Sequence, residues 1–368
     1  MFAIVAVALV AVNACASVQR LAPATQDRAW RSYLGSDSRA PAVWDSLNLD
    51  PQPVWRSDVA RGIVGAPALT EDLVAVSQVD RQVAVLDRAT GDVIWRHRLS
   101  NAPGSGPLVD GDRVIVATQE ERGEVRALQL GTGASLWSAT VGDVAAPLAL
   151  DDSTVYAGST EGFVVALHSG SGARVWRVRL AGAVRAAPVP TSAGLVVATT
   201  TDSVYLLDRN TGAVRARRGL TGSIVAAPAS LDTLLVAGTT GGDLVALRPE
   251  GLALRWHVDL GSAVVGSVAV QHDVAWALDE RGALWCVPLA DPSSASHVGT
   301  GVVSRAGPTP TASGILLAST NGELVLVDPA TGTRHWSARV RGPLTQPAVV
   351  DGRFFVAVST RGQVIAFR

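Results

Sequence analysis

The chain has 368 residues, with Lys+Arg 31 against Asp+Glu 32 and a formal net charge of −1. Hydrophobic residues make up 48% and charged residues 17%, which excludes a disordered chain. The balanced charge excludes an electrostatic nucleic-acid binder, and 36 Gly with 19 Pro and almost no helix signal fit a turn-rich all-β fold.

Residues 1–14, MFAIVAVALVAVNA, form an apolar run too short to span a bilayer as a mature helix, and they read as a signal peptide. Val12-Asn13-Ala14-Cys15 resembles the lipobox of bacterial lipoproteins, where the chain is cut before a cysteine that is then acylated. Cys15 is therefore the expected lipidation site and lipid anchor; an ordinary export signal, leaving a soluble periplasmic or secreted protein, is the alternative. Residues 15–52 carry no repeat and read as a tether, with Trp30, Tyr33 and Trp44 available to dock on the folded body.

From residue 53 one phrase recurs about every 40 residues. It opens on a stretch of small residues with a proline, as in Ile63-Val64-Gly65-Ala66-Pro67-Ala68-Leu69, the expected first strand of its unit. Leu73 to Ser77, Gln82 to Asp87 and Val93 to Leu99 are the expected second, third and fourth. Short links make these antiparallel meander strands. The counterparts of Pro67 run from Pro107 to Pro347, with Ser267 standing where the sixth proline is missing. A fixed period of this size with four strands per unit predicts radial repetition of small sheets, an eight-bladed β-propeller over 53–368.

The third link repeats as Asp-x-x-Thr-Gly at Asp87–Gly91, Asp208–Gly212 and Asp328–Gly332. Asp and Thr oxygens accept turn N–H groups and Gly closes the turn with positive φ; this explains the spacing better than a calcium loop does. Tryptophan follows four residues after the glycine at Trp95, Trp137, Trp176 and Trp336, with Trp256 one residue later and Ala216 in the slot of the fourth unit. Gaps between radiating sheets widen outwards, so small residues belong near the axis and indoles outside. Pro53-Val54-Trp55-Arg56-Ser57 matches a fourth strand lacking its first three, and the C-terminal unit lacks a fourth. Joining them closes the eighth blade and removes an open sheet edge.

Catalytic signals are sparse. The six histidines fall on different units without metal-ligand spacing, with His97, His257 and His335 expected to face solvent. Cys286 takes a slot filled elsewhere by Ala127, Ala166 and Ala246, and reads as small buried filler. No catalytic, cofactor or metal residue is assigned. Arg185, Arg305 and Gln346 are polar residues on otherwise small first strands, and are the candidates for partner contact or for lining the axial channel.

The phrase Gly-x-Val-x-Ala-Leu-Asp-x-x-Thr-Gly-x-x-x-Trp resembles the pyrroloquinoline-quinone-type propeller repeat across residues 53–368. With an export signal and an anchor, the chain most resembles the BamB family. That resemblance implies a scaffold without catalytic site or cofactor on the periplasmic side of the bacterial outer membrane. It also implies partners: subunits of the β-barrel assembly machinery and unfolded outer-membrane precursors. The family docks through links into middle blades, with Arg on one link and acidic residues on the next. Arg185 is the nearest basic candidate, while Thr221-Gly222-Ser223-Ile224-Val225 carries no acid. Two alternatives stand beside it: a quinone-dependent dehydrogenase, whose adjacent cysteine pair this chain lacks, and a ligand-sensing propeller.

Overall fold

The computed structural model describes Leu47 and residues 49–59, 61–231 and 233–368. Eight four-stranded antiparallel sheets are present. The first blade takes Ile63–Leu69, Leu73–Gln78, Gln82–Asp87 and Val93–Arg98 from axis to rim. Six more follow in chain order, with outer strands Ser135–Thr140, Arg174–Arg179, Val214–Gly219, Leu254–Asp259, Ser296–Gly299 and Arg334–Arg339. The eighth joins both ends of the folded chain: Val349–Asp351, Phe354–Val358 and Gln363–Phe367, then Pro53–Asp58 as its outer strand.

The closure is tight. Trp55 pairs with Ala366, and Gln52 and Arg368 exchange N–H···O bonds of 3.0 Å each. Docking begins even before the first strand, because Leu47 is buried and its carbonyl accepts the Ser313 hydroxyl on the seventh blade at 2.7 Å. Cys15, Trp30, Tyr33 and Trp44 lie outside the described residues.

One expectation needs correction. The proline-bearing stretch is a strand only in the first blade. Elsewhere the inner strand is three residues long, as in Val189–Thr191 or Thr309–Thr311, and begins after the small-residue stretch. Near the axis, neighbouring backbones come too close for a sheet ladder and side chains together. A Cβ on Gly104 would stand 1.8 Å from the Val144 carbonyl oxygen, and one on Gly106 would stand 2.0 Å from that of Ala66. Proline fits there because it has no N–H to satisfy.

Inside each blade the second and third strands are buried almost throughout, and apolar clusters lie between neighbouring blades. Outer strands alternate: one side chain packs on the next blade, the other faces solvent. His257 and His335 fall on the exposed side, but His97 falls on the packed side, in phase with Trp95, and is half-buried. Cys286 is buried in the cluster between the sixth and seventh blades.

The indoles do more than fill space. Trp55 Nε1–H donates to the Arg88 carbonyl at 2.8 Å, Trp95 to Leu130 at 2.7 Å, Trp137 to Ser169 at 2.9 Å and Trp176 to Arg209 at 2.7 Å. Each acceptor lies in the third link of the following blade, three residues before that link's glycine. The glycine lies under the ring: Cβ atoms on Gly91, Gly133, Gly172 and Gly212 would stand 2.5, 2.6, 2.4 and 2.6 Å from Trp55, Trp95, Trp137 and Trp176 respectively. The repeated Gly and Trp are thus two halves of a latch between blades. The Asp of the link braces it, since one Asp87 oxygen accepts the N–H groups of Ala89 and Thr90 at 2.8 Å each.

Candidate functional site: the axial cavity

The link into the fourth blade shows how the axial surface is built. Val184 N–H donates to the Ser159 carbonyl of the third blade at 2.9 Å, and its buried side chain lies over Gly158, where a Cβ would stand 2.3 Å away. Val264 repeats this over Gly238. In the seventh blade Ser304 takes the slot and bonds locally instead, accepting Ala306 N–H at 2.9 Å. With that residue held, against the neighbouring blade at Val184 and Val264 and within its own blade at Ser304, the next one lines the axis.

That next residue recurs without drift. Ala145, Arg185, Val225, Val265, Arg305 and Thr345 stand 40 residues apart, and all six line one cavity of about 390 Å³ on the propeller axis. Gly65 and Ser105 continue the series backwards and line it too. Every blade therefore contributes one residue of the same register. Gln346 joins from the eighth blade.

The structure brings Arg185, Arg305 and Gln346 to this one cavity. The two arginines are exposed, Gln346 is half-buried, and among the described residues no hydrogen bond or ion pair engages either guanidinium. Among the described residues they are the only charged groups in the lining. Carboxylates on links of the same face are held by hydroxyls: Asp143 accepts Thr160 at 2.6 Å and Asp202 accepts Ser223 at 2.5 Å. The lining holds no aromatic ring and no carboxylate, so it lacks the groups that would sandwich a quinone or ligate calcium. Among the described residues, no cluster of three or more His, Cys, Asp or Glu gathers anywhere.

Two turn carboxyls are perturbed. The Thr211 N–H leads the groups that hold Asp208 below the ordinary value of 3.8, with Asn210 N–H and Arg215 adding to it. At Asp328 burial pushes the carboxyl up, but the N–H groups of Ala330 and Thr331, with the Thr331 hydroxyl and His335, outweigh it and hold the group low. These shifts belong to link architecture rather than to catalysis.

A family model described as the outer membrane protein assembly factor BamB matches residues 16–123, 121–267, 200–292 and 271–368. The chain belongs to the BamB family. A curated BamB from Burkholderia pseudomallei (strain K96243) is 29% identical over 134 residues, which is 36% of this chain and about a third (34%) of that relative's length. The crystal structure of BamB from Moraxella catarrhalis superposes with a TM-score of 0.73 at 16% identity, covering 86% of this chain and 99% of that one. The quinohemoprotein alcohol dehydrogenase from Comamonas testosteroni superposes at 0.78 with 12% identity, covering 97% and 84%. At such identities both likenesses speak to the propeller alone. BamB membership and an oxidoreductase neighbour are compatible, because the blade architecture serves both.

Sequence reasoning named Arg185, Arg305 and Gln346 as candidates for lining the axial channel; what it missed was that Arg185 and Arg305 hold the same register in their blades. The 40-residue register carried the signal, since the two positions are three periods apart. It was obscured because the proline used to align the units shifts by one residue between blades, as at Pro147 and Pro188.

Proposed function

We propose that this protein is a non-enzymatic scaffold of outer-membrane β-barrel assembly, held by a lipid on Cys15 at the periplasmic face of the bacterial outer membrane. The observation that carries the reading is the match to the BamB family from residue 16 to the C-terminus. Its partners would be subunits of the assembly machinery and unfolded barrel precursors, with Arg185 at the docking surface.

The rim supports a role in holding extended chains. Each blade ends in an edge strand, and the outer strands expose Val54, Ile94, Leu136, Val175, Val214 and Leu254 in consecutive blades. Exposed edges with apolar side chains favour strand addition by a partner. A register shift breaks most third-to-fourth pairings at the same place, as between Ala166 and Leu167, and such bulges restrain self-association. Crosslinking in intact cells, then affinity capture of the full-length protein, should recover barrel-assembly subunits. Recovery of none, with partners elsewhere, overturns the reading. Cys15→Ser should move the protein from the membrane to the soluble fraction; if it stays membrane-bound, the anchor assignment fails.

A further inference from the structure

We propose that the axial cavity is a binding site for an aliphatic dicarboxylate, held at its two ends by Arg185 and Arg305. This goes beyond the scaffold role and does not depend on it. Two guanidiniums, always charged, share one concave space of about 390 Å³ with no carboxylate in its lining. That volume is in the range of small-ligand sites, roughly 300–1,000 Å³. The remaining side chains are small, as at Ala145, Ala186, Val225 and Val265, and none of them is acidic, so nothing in the lining neutralises the two cations.

The arrangement selects among anions. Arg185 is on the fourth blade and Arg305 on the seventh, three blade steps of eight around the axis. A single monovalent carboxylate neutralises only one of the two cations. A molecule with two separated carboxylates meets both, each in the forked geometry that guanidinium offers. Two negative charges cancel the two positive ones and relieve their mutual repulsion. The Gln346 amide and Thr345 hydroxyl on the eighth blade, beside Arg305, add neutral donors, and Val225 and Val265 suit a methylene chain.

Calorimetric titration of the full-length protein tests this, with succinate, glutarate and adipate as probes and acetate and inorganic phosphate as comparators at matched ionic strength. The expected result is saturable binding of one dicarboxylate per chain, with one chain length preferred and acetate at least about tenfold weaker. Arg185→Ala and Arg305→Ala should each weaken the preferred probe by about tenfold or more, a loss of one charge-assisted pair. Both side chains are solvent-exposed on irregular links, and an unchanged near-ultraviolet circular dichroism spectrum would verify that each variant keeps the fold. No saturable heat with any dicarboxylate overturns the proposal. So does equal binding by wild type and the Arg185→Ala/Arg305→Ala double variant. Tight binding of phosphate with none of the dicarboxylates also overturns it, because one guanidinium would then suffice.

Discussion

The two halves of the ring are joined differently. From the eighth blade round to the fourth, all four junctions carry an indole hydrogen-bonded across the gap and a glycine beneath the ring. From the fourth round to the eighth, none does among the described residues. Ala216 faces Leu252, which is fully buried in the position Gly212 holds one blade earlier and has φ of 59°. Trp256 packs beside Leu289 and Ala295, and its buried Nε1–H meets no acceptor among the described residues. Pro292, in the short helical turn Pro292–Ser294, replaces the glycine there. Ser296 holds the slot in the sixth blade. Trp336 stands perpendicular to Phe355 and Phe367, with ring centroids 6.0 and 5.2 Å away, because the link that would receive it is the join between chain ends. The lesson is that the gap must be filled, while the means are free: indole over glycine, or leucine over alanine.

The largest test compares equivalent tryptophans. Trp176→Ala removes an indole that is 8% exposed together with its inter-blade bond, and should cost about 3–5 kcal/mol. Trp256→Ala should cost at least about 1 kcal/mol less, since no hydrogen bond is lost and an orphaned donor is removed. Urea unfolding midpoints measure both, and equal costs would erase the distinction between halves.

Exchanging one junction for the other sharpens the comparison. Leu252→Gly alone should cost about 2–4 kcal/mol through a cavity, and Ala216→Trp alone about 1–3 kcal/mol through overpacking. Together they recreate the Trp-over-Gly pair, so the double variant should be more stable than the sum of the single losses by about 1–3 kcal/mol. Strict additivity would mean that Ala216 and Leu252 do not share the gap.

Glycine substitutions give a smaller effect. Gly172 has φ of 71° and its Cβ would stand 2.4 Å from the Trp137 ring, whereas Gly251 has φ of 73° and nothing within 4 Å. Both alanine variants bear the left-handed backbone strain, about 1–2 kcal/mol. Gly172→Ala should cost roughly 1–3 kcal/mol more by overpacking, read from thermal unfolding. A larger loss for Gly251→Ala would break the latch account.

The smallest effect is on the acid limb. Asp328 is held below its usual range in the fold, so its contribution is present above the unfolded-state value and is lost as pH falls through the depressed one. Asp328→Asn should therefore be less stable than wild type near neutrality, and the gap should close as pH falls below the ordinary carboxylate range and through the depressed folded-state value. A gap independent of pH would detach the shift from stability.

Much of this was legible beforehand. The Asp-x-x-Thr-Gly links formed as turn chemistry requires, because their hydrogen bonds are made within five residues. Eight repeats and a lone outer strand at Trp55 were enough for the closure, because an unpaired edge is costly and its complement stood at the other end of the chain. The indoles were assigned to the gaps from their size and spacing, but not their acceptors, since Leu130 and Ser169 lie more than thirty residues ahead of the rings that bond them. The short inner strands were hidden as well, because only the approach of a neighbouring backbone forbids a longer ladder.

The sequence by itself determined the period, the blade, the number of blades and the way the ring shuts, all of which follow from local hydrogen bonding and from burying one repeat against the next. Tertiary structure alone decided that Leu252 substitutes for a missing tryptophan, and it chose between the two places open to Arg185 and Arg305 by setting both in the lining of one cavity. Those relations join positions on different blades, and only the curvature of the closed ring brings such positions within reach of each other.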